Sequence, residues 1–500
     1  MKKKIKVKNL IDKTMQVFGD ERTEIKSLSH NSKQIGKNGL FFAINGTNVN
    51  GEEYSLEAVK NGAVCVASER KLDLPENVCQ IVCENIRQTM SKIASKFYGN
   101  ASKSMFIIAV TGTNGKTTTT YMLASVFKKA GKKVGIIGTN GIFIENQKIG
   151  QNLTTPDPID LQKTFAVFKE NGVDVVCMEF SAHALELQKN WGIMTDIALF
   201  TNLTQDHLDF FKTMEKYGQA KAKLFTKEFT KKAVINADDD FGYDLFKNIK
   251  MPAIAYSREK NRNFQRLANC NIVAFDEQIC EEGKGQDFLV KVFSKQQAIH
   301  LNLDGGFNVS NALGVIGAGY FAGLSLKTIA AGLNKLDSVE GRFNTFLING
   351  IKVIIDYAHT PDGILNILQA ARELAGENRI ISVFGCGGNR DSSKRKIMGE
   401  ISCKNADFTF ITSDNPRFED PLGIAKQIEE GFDKNSYKIV LDRKQATKEA
   451  IGFAKPGDIV VLAGKGAEDY LDIKGQKIFY SDKVVVEELK KEFEAHTSKS

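Results

Sequence analysis

No stretch of this 500-residue sequence approaches the roughly 20 consecutive apolar residues that span a bilayer. The first residues, MKKKIKVKNLIDK, are basic, but no apolar segment follows them, so we do not expect a secretory signal. The eight cysteines include no Cys-x-x-Cys pair, which argues against a zinc or disulfide framework. Dispersed cysteines of this kind are typical of reduced, buried thiols, and we expect a cytoplasmic protein.

Beyond the basic first residues, charge of one sign is not concentrated in the sequence. The formal net charge is +8, and lysine and arginine are scattered rather than clustered with aromatic residues. The pattern therefore does not favour nucleic-acid binding, whereas an anionic small substrate would suit it. We expect a monomer that acts on small molecules, with no nucleic-acid or membrane partner.

The chain divides into three segments by its pattern of strands and helices. Residues 1–102 hold short strand-like runs followed by a helical stretch. Residues 103–337 alternate strands and helices, which predicts a parallel sheet flanked by helices, with an antiparallel addition at about 260–305. Residues 338–500 repeat the alternation and predict a second open α/β sheet, which would bind ligands beyond the carboxyl ends of its strands.

The most informative motif is FIIAVTGTNGKTTTT, at residues 106–120. An apolar run of strand length leads into a glycine-bearing loop, and Thr117 opens an amphipathic helix. Backbone N–H groups and the positive end of a helix attract phosphate. Lys116 can neutralise the outer phosphates, and the Thr117 hydroxyl can hold Mg²⁺. The motif predicts a nucleoside triphosphate site, although the general pattern has glycine at position 110, where this chain has valine.

The variant T-G-T-N-G-K-T-T resembles the ATP loop of the Mur ligase family, which also includes the folylpolyglutamate synthases. The resemblance extends over nearly the whole chain. It implies an N-terminal UDP-binding α/β domain at 1–102, a central P-loop domain with a parallel sheet at 103–337 and a C-terminal Rossmann-like α/β domain at 338–500. In the family, the arginine that corresponds to Arg342 reaches the ATP phosphates, and the aspartate that corresponds to Asp356 contacts the ribose. The implied ATP contacts are Gly112, Thr113, Asn114, Gly115, Lys116, Thr117, Thr118, Asn308, Arg342 and Asp356.

Two polar residues, Glu179 and His207, follow predicted strands, and at neighbouring strand ends they can share a divalent cation. The run TNLTQDHLDFF resembles the family pattern and favours this role over a structural one. The resemblance further implies that Lys221 is carbamylated by CO₂ and ligates a second Mg²⁺, with Lys223 as the alternative. Carbamylation needs a lysine that is sometimes neutral, which burial promotes. The implied catalytic residues are Lys116, Glu179, His207 and Lys221, and the implied ligands of two Mg²⁺ ions are Thr117, Glu179, His207 and carbamylated Lys221.

Residues 29–54 resemble the uridine-nucleotide recognition segment of the tripeptide-forming Mur ligases. Three departures from the family pattern put substrate contacts in question. The chain has Asn31-Ser32-Lys33 where Asp-Ser-Arg is usual, Ala182 where a second serine is usual, and Lys189, which lacks the bidentate fork of the usual arginine. The implied contacts to UDP-N-acetylmuramoyl-dipeptide are Ser32, Thr47, Asn48, Val49, Thr154, Thr155, Ser181 and Lys189.

The run TSDNPRFEDP, at residues 412–421, bears on which amino acid is added. In family members that add meso-diaminopimelate, a D-N-P-R run places an arginine against the second carboxylate of that amino acid, which a guanidinium binds bidentately. L-Lysine has no such carboxylate. Ala467 stands where the family usually has histidine. The implied diaminopimelate contacts are Arg390, Asp414, Asn415, Pro416, Arg417, Gly464 and Glu468.

The resemblance therefore implies ATP-dependent addition of meso-diaminopimelate to UDP-N-acetylmuramoyl-L-alanyl-D-glutamate through an acyl phosphate, a step of peptidoglycan precursor synthesis. Its cofactors would be ATP, two Mg²⁺ ions and a CO₂-derived carbamate on Lys221. Three alternatives stay open. The first is ligation of L-lysine or another diamino acid, against which Arg417 and Arg390 argue. The second is a folylpolyglutamate-type ligase, which would leave the uridine-nucleotide recognition segment at residues 29–54 unexplained. The third is a nucleotide-dependent binding protein without catalytic activity, against which the intact implied catalytic residues argue.

Overall fold

The computed structural model describes residues 4–46, 50–151, 153–261, 264–280 and 285–497. Two compact units are present. One comprises residues 1–109, 132–198 and 220–232, and the other comprises residues 110–131, 199–219 and 233–500. Within the described ranges, no helix has the length and apolar character needed to cross a membrane.

The N-terminal segment folds around a small mixed sheet. Its elements are β1 (Ile5–Lys6), β2 (Met15–Phe18), β3 (Glu24–Ile25), β4 (Ser27–Ser29), β5 (Gly39–Phe42), α1 (Ser55–Lys60), β6 (Ala63–Ser68), β7 (Cys79–Cys83) and α2 (Ile86–Phe97). The strand order is β2-β7-β6-β5-β4, with β4 to β7 parallel and β2 antiparallel to β7. Helix α2 begins where the Asn85 side chain accepts a hydrogen bond from the Gln88 N–H.

The central segment alternates strands and helices as expected. Its elements are β8 (Phe106–Thr111), α3 (Lys116–Lys129), β9 (Val134–Gly138), β10 (Gly141–Ile144), β11 (Gln147–Gly150), α4 (Pro158–Glu170), β12 (Val175–Glu179), α5 (Ala182–Glu186), β13 (Thr195–Phe200), α6 (Leu208–Phe211), α7 (Met214–Ala222), β14 (Thr230–Asn236), α8 (Asp240–Asn248), β15 (Ala253–Arg258), α9 (Phe264–Asn269), β16 (Ile272–Ile279), β17 (Gln286–Val292), β18 (Lys295–Leu301), α10 (Gly306–Phe321) and α11 (Leu326–Asn334).

Strand pairing in this segment is parallel where helices intervene and antiparallel in the remaining pairs given below. In the first unit, β9 pairs parallel with β12 and antiparallel with β10, which pairs antiparallel with β11. In the second unit, β14, β15 and β16 are parallel, and β16, β17 and β18 are antiparallel. The antiparallel addition predicted for this stretch is confirmed.

The C-terminal segment contains the second open sheet. Its elements are β19 (Asn344–Ile348), β20 (Ile351–Asp356), α12 (Pro361–Ala375), β21 (Ile380–Phe384), α13 (Lys394–Asn405), β22 (Phe408–Ile411), α14 (Pro421–Glu429), β23 (Tyr437–Ile439), α15 (Arg443–Phe453), β24 (Ile459–Ala463), β25 (Tyr470–Ile473), β26 (Gln476–Phe479) and α16 (Asp482–Thr497). Its strand order is β19-β20-β24-β21-β22-β23, all parallel except for the edge strand β19.

The strands of this sheet are apolar on both faces, because helices cover both sides. Ile354 and Val461 belong to one buried cluster, with residues of α12, α13 and α14. Their sequence neighbours Val353 and Val460 belong to another, with residues of α15 and α16. Successive side chains of a strand point to opposite faces, so continuous apolar runs such as IVVLA serve two cores at once.

A buried ion pair joins α15 and α16. The side chains of Arg443 and Asp482 are both fully buried, and the guanidinium donates two hydrogen bonds to the carboxylate, of 2.9 and 2.8 Å. Arg443 also donates to the Ala463 carbonyl at 2.9 Å, and the Tyr480 hydroxyl donates to Asp482 at 2.8 Å. The pair therefore links both helices to the end of β24, from which a predicted ligand-binding segment continues.

We expect Asp482→Ala to destabilise this segment by about 3–5 kcal/mol, because it leaves a buried guanidinium without its carboxylate. Glu488→Ala is a matched control, since Glu488 pairs with Lys444 across the same two helices on the exposed surface. Urea unfolding of the full chain would show a lower midpoint for Asp482→Ala and an unchanged one for Glu488→Ala. Equal shifts in the two variants would contradict the assignment.

Candidate functional site

The loop between β8 and α3 has the geometry of a phosphate cradle. Gly115 caps the helix with a φ of 83°, and Gly112 has a φ of 151°. The Lys116 ammonium donates to the carbonyls of Gly112 and Thr113 at 2.9 and 2.7 Å, and the Thr113 N–H donates to the Asn202 carbonyl at 2.9 Å. A helix N-terminus and an ammonium group thus lie at one loop, which is the arrangement that binds phosphate.

The predicted nucleotide residue Asn308 lies close to this loop through its neighbour Asn311 on α10. The Asn311 amide donates to Asn308 Oδ1 at 3.0 Å, and the Asn308 amide donates to the Asp304 carbonyl at 2.7 Å. A Cβ on Gly115 would collide with Asn311 Oδ1. The start of α10 is therefore packed directly against the glycine that begins α3.

Arg342, also predicted to contact ATP, reaches the start of α3, and the predicted ribose contact Asp356 lies near Arg342. Arg342 donates to the Thr117 hydroxyl at 2.9 Å, and its guanidinium lies 4.5 Å from the ring centroid of Tyr357. The Asp356 carboxylate accepts the Phe343 N–H at 2.8 Å. Burial raises the pKa of Asp356, and Arg342 partly opposes this effect. Arg342, which is predicted to contact the ATP phosphates, is thus in direct contact with the Thr117 hydroxyl, which is predicted to hold Mg²⁺.

The loop makes a further contact with the C-terminal segment that the sequence did not predict. The Asn114 amide donates to Asp362 Oδ2 at 2.7 Å, and the Thr204 hydroxyl lies 3.4 Å from the same oxygen. Asp362 stands in the first turn of α12, and burial raises its pKa. Asp362 belongs to the run DYAHTPDG at residues 356–363, which begins with the predicted ribose contact Asp356, and this position in the sequence is the signal that could have found it.

His207 lies beside a buried carboxylate. Its Nε2 is 3.2 Å from Asp206 Oδ2, and its ring packs edge-on against Tyr217. Lys394 and His359 approach Asp206 as well, at 3.5 and 3.8 Å. Burial alone would raise the pKa of Asp206, but Lys394, His207 and His359 together hold that pKa well below its usual value. An ionised carboxylate therefore orients the imidazole, and sequence reasoning assigned a role only to the histidine.

Four predicted residues converge at the carboxyl end of β12. The buried Glu179 carboxylate accepts the Thr139 N–H at 3.0 Å and the Thr139 hydroxyl at 3.1 Å, and that hydroxyl lies 3.0 Å from the Thr154 hydroxyl. The Thr155 hydroxyl donates to the Glu179 carbonyl at 2.9 Å and accepts the Ser181 N–H at 3.0 Å. Thr139, which no motif pointed to, orients the glutamate.

The structure separates the two candidate lysines at the end of α7. Lys221 is only 1% exposed, whereas Lys223 is exposed and pairs with Glu186 at 2.6 Å. Carbamylation requires a lysine that loses its proton, and burial favours the neutral form. Burial thus favours Lys221 over the alternative.

Two further predicted substrate residues of the first unit, Ser32 and Lys189, have polar partners in the protein. Ser32 is buried and donates to Glu57 at 2.6 Å, and Asn31 accepts the Lys33 N–H at 3.0 Å. Lys189 pairs with Asp157 at 2.7 Å. Thr47, Asn48 and Val49 lie outside the described residues.

The residues predicted for the amino acid gather around Lys465, which sequence reasoning did not select. This fully buried ammonium donates to Asn415 Oδ1 at 2.7 Å and lies 3.1 Å from Asp414 and 3.2 Å from Glu468. The Asn415 amide donates to Glu468 at 3.0 Å. Burial would raise the pKa of Asp414, but Lys465 and Arg443 hold it below its usual value. The cluster thus presents the Asp414 carboxylate, kept ionised by buried cations, with Glu468 beside Lys465.

Arg390 and Arg417, the two predicted carboxylate clamps, meet at Gly387. A Cβ on that glycine would lie 2.9 Å from Arg417 Nη1 and 3.7 Å from Arg390 Cγ. Arg417 has a left-handed φ of 51°, donates to the Gly388 carbonyl at 2.8 Å, and lies 3.7 Å from Asp472. The absence of a side chain at position 387 therefore leaves room for the Arg417 guanidinium and the Arg390 side chain to approach one region.

Three further predicted residues contribute mainly through their place in the backbone. Thr118 is buried in the first turn of α3. Gly464 has a φ of 114°, and a Cβ there would lie 2.9 Å from Asp414 Oδ2. The Pro416 carbonyl accepts the Glu419 N–H at 3.0 Å and so closes the turn that carries Arg417.

An α/β sheet whose strand ends in a glycine loop, with lysine and threonine opening the next helix, defines a P-loop nucleotide-binding protein. Three family models match the chain: Mur ligase family, catalytic domain, at residues 24–98; Mur ligase middle domain at 110–319; and Mur ligase, glutamate ligase domain, at 341–466. The chain belongs to the Mur ligase family, and it has the three-domain α/β fold of that family.

Individual relatives agree along nearly the full length. The chain is 41% identical over 492 residues to UDP-N-acetylmuramoyl-L-alanyl-D-glutamate–2,6-diaminopimelate ligase of Clostridium botulinum, covering 97% of this chain and 99% of that protein. A solved structure of a ligase with the same name matches with a TM-score of 0.68 at 30% identity, covering 97% and 98% of the two chains. MurF from Acinetobacter baumannii shares the fold, with a TM-score of 0.64 at 17% identity and 94% of each chain covered.

From the packing at Gly115 we predict that a side chain added at this position weakens nucleotide binding. In Gly115→Ala, a left-handed alanine costs roughly 1–2 kcal/mol and its methyl group also displaces Asn311. Gly131→Ala is the matched control, because its φ of 76° is similar but nothing lies within 4 Å of the added Cβ. We expect ATP affinity, measured by calorimetry, to fall by more than about tenfold, or 1.4 kcal/mol, in Gly115→Ala alone. Equal affinities in the two variants would show that the contact with Asn311 is unimportant.

Proposed function

We propose that this chain is an ATP-dependent amide ligase that adds meso-diaminopimelate to UDP-N-acetylmuramoyl-L-alanyl-D-glutamate. The observation that carries the proposal is the meeting of Arg417 and Arg390 at Gly387, near the cluster of Asp414, Asn415 and Glu468. A diamino dicarboxylic acid has the groups that such a set would recognise, two cations for carboxylate and acidic groups for ammonium. Relatives that are 38–41% identical carry the name of this ligase.

The phosphate loop supports the first half of the reaction. The D-glutamyl carboxylate would attack the γ-phosphate of ATP, ADP would leave, and an acyl phosphate would form. Lys116, the N-terminus of α3 and Arg342, which lie at this loop, would offset the negative charge that builds up on the transferred phosphoryl group. The amine of the incoming amino acid would then attack the acyl carbon, and phosphate would leave.

Most of the candidate donors are oxygen atoms, which suit Mg²⁺, and the ion would offset phosphate charge when bound. In one unit the candidate ligands are the Thr117 hydroxyl and the His207 imidazole, which Asp206 holds in place. In the other they are the Glu179 carboxylate, held by Thr139, and carbamylated Lys221. The Thr117 hydroxyl, the His207 imidazole and the Glu179 carboxylate each have a polar partner that sets their orientation, as expected of a prearranged site.

A cytoplasmic, monomeric enzyme acting on small molecules fits this proposal. The substrates would be a UDP-sugar peptide, ATP and a free amino acid. The mild positive charge of the chain, +8, suits such anionic substrates.

The direct test is phosphate release with ATP, Mg²⁺ and the UDP-muramoyl dipeptide, with meso-diaminopimelate and L-lysine offered separately. We expect release with diaminopimelate only. Arg417→Ala should lower kcat/KM for diaminopimelate by about 30-fold or more, because removing one partner of a buried charge pair costs about 2–5 kcal/mol. Arg372→Ala, which breaks a surface pair with Asp407, is the control and should keep full activity.

Other outcomes of this assay discriminate the alternatives. Release with L-lysine would retain the ligase and reject the amino-acid assignment. Binding of ATP and the UDP-substrate without release in either case would reject the enzyme and favour a nucleotide-dependent binding protein.

Carbamylation of Lys221 has its own test. With ¹³C-labelled CO₂, we expect a carbamate carbonyl resonance in the wild type and in Lys223→Arg, and none in Lys221→Arg. The kcat of Lys221→Arg should fall about a hundredfold or more, since several kcal/mol of charge stabilisation depend on the metal that the carbamate would hold. A resonance that persists in Lys221→Arg and disappears in Lys223→Arg would reverse the assignment.

A further inference from the structure

A second group of metal-binding side chains lies in the antiparallel part of the central segment. Cys280 directly follows β16, Asp287 is in β17 and His300 is in β18. Asp287 and His300 are register partners across the β17–β18 pair, and the Cys280 N–H donates to the Gly285 carbonyl beside them at 3.2 Å. The antiparallel strands β16, β17 and β18 thus bring a thiol, a carboxylate and an imidazole together. The proposed ligase reaction uses none of these three groups.

The spacing of these three groups is close to that of a tetrahedral metal site. One ligand atom from each lies within 4.8 Å of the others. Cys280 Sγ is 3.3 Å from Asp287 Oδ2 and 4.0 Å from His300 Nδ1, which is 2.9 Å from Asp287 Oδ1. Zinc bonds of about 2.0–2.3 Å at tetrahedral angles require ligand separations of roughly 3.3–3.6 Å. Shifts of a few tenths of an ångström would therefore bring all three atoms into coordination.

The neighbouring Asn302 determines which ring nitrogen of His300 would face a metal. The Asn302 amide nitrogen donates to the Asn334 carbonyl at 2.6 Å and to Asp337 at 2.9 Å. The Asn302 oxygen is thereby turned to His300 Nε2, at 2.9 Å, and accepts a hydrogen bond from the N–H at that position. A neutral imidazole then has its lone pair on Nδ1, the nitrogen beside Cys280 and Asp287. A polar group that holds the other nitrogen in this way is a regular feature of metal-bound histidines.

We propose that Cys280, Asp287 and His300 bind a Zn²⁺ ion, with water as the fourth ligand. Thiolate and imidazole favour zinc over Mg²⁺ or Ca²⁺, which prefer oxygen. Binding releases the thiol proton to solvent, because the thiolate is the ligand. Asp287 and His300 also line a surface cavity of about 660 Å³, which gives water access to the fourth position. The ion would tie the end of β16 to the β17–β18 pair.

The competing explanation is a metal-free hydrogen-bond cluster in which a protonated His300 pairs with Asp287. The two explanations differ in the state of the thiol. A zinc site requires a thiolate bonded to the ion, whereas the metal-free cluster retains a protonated thiol and binds no ion.

The test is a Co²⁺ titration of the full-length, chelator-treated protein in excess Mg²⁺. We expect a thiolate-to-cobalt absorption band that saturates at one equivalent and is removed by Zn²⁺. Cys280→Ser should abolish this band, while His300→Gln and Asp287→Asn should weaken binding at least tenfold. Cys270→Ser, at another partly exposed cysteine of the same segment, is the control and should leave the band unchanged.

Circular dichroism and phosphate release would show that each variant is folded, since none of these residues belongs to the proposed ligase site. Two results would overturn the zinc site: no cobalt band in the wild-type protein, or a band of full intensity in Cys280→Ser.

Discussion

The candidate nucleotide site depends on one steric constraint, which is that the backbone of the loop at residues 112–116 leaves no room for side chains at its two glycines. Gly112 and Gly115 have positive φ values, and a Cβ at either would collide with a neighbouring side chain, from Thr201 or Asn311. Because these glycines have no side chains, other segments approach the loop closely and the backbone N–H groups stay accessible to phosphate. The contacts that Asn114 makes with Asp362 and Thr117 with Arg342 all depend on this close packing.

Buried charges organise much of the rest of the site, and Asp206 and Lys465 both lie among groups of opposite sign. Asp206 is surrounded by three cationic or protonatable groups, and Lys465 by Asp414 and Glu468. Burying a charge without such partners would cost several kcal/mol, so these groups constrain one another's positions strongly. The Arg443–Asp482 pair follows the same physics but serves the connection between helices and β24 rather than a ligand.

Much of the fold could be predicted because its signals are local. The apolar run before the phosphate loop became β8, the loop and helix start followed as expected, and the continuous apolar runs of the C-terminal segment became strands buried on both faces. The hairpin of β10 and β11 was not predicted, since its short strands form only by pairing with each other and with β9. The groups around the predicted residues, Thr139 and Lys465 among them, were also missed because their partners are far away in the chain.

The sequence by itself determined the family, the phosphate loop and the identity of most candidate residues, because a motif of contiguous residues encodes both a local backbone shape and its chemistry. Only the tertiary structure decided which lysine is buried, which carboxylate orients His207, and that two arginines meet at one glycine. It also placed Cys280, Asp287 and His300 together, although their spacing matches no metal-binding pattern. Burial and charge pairing arise from contacts between residues distant in sequence, and no local pattern specifies them.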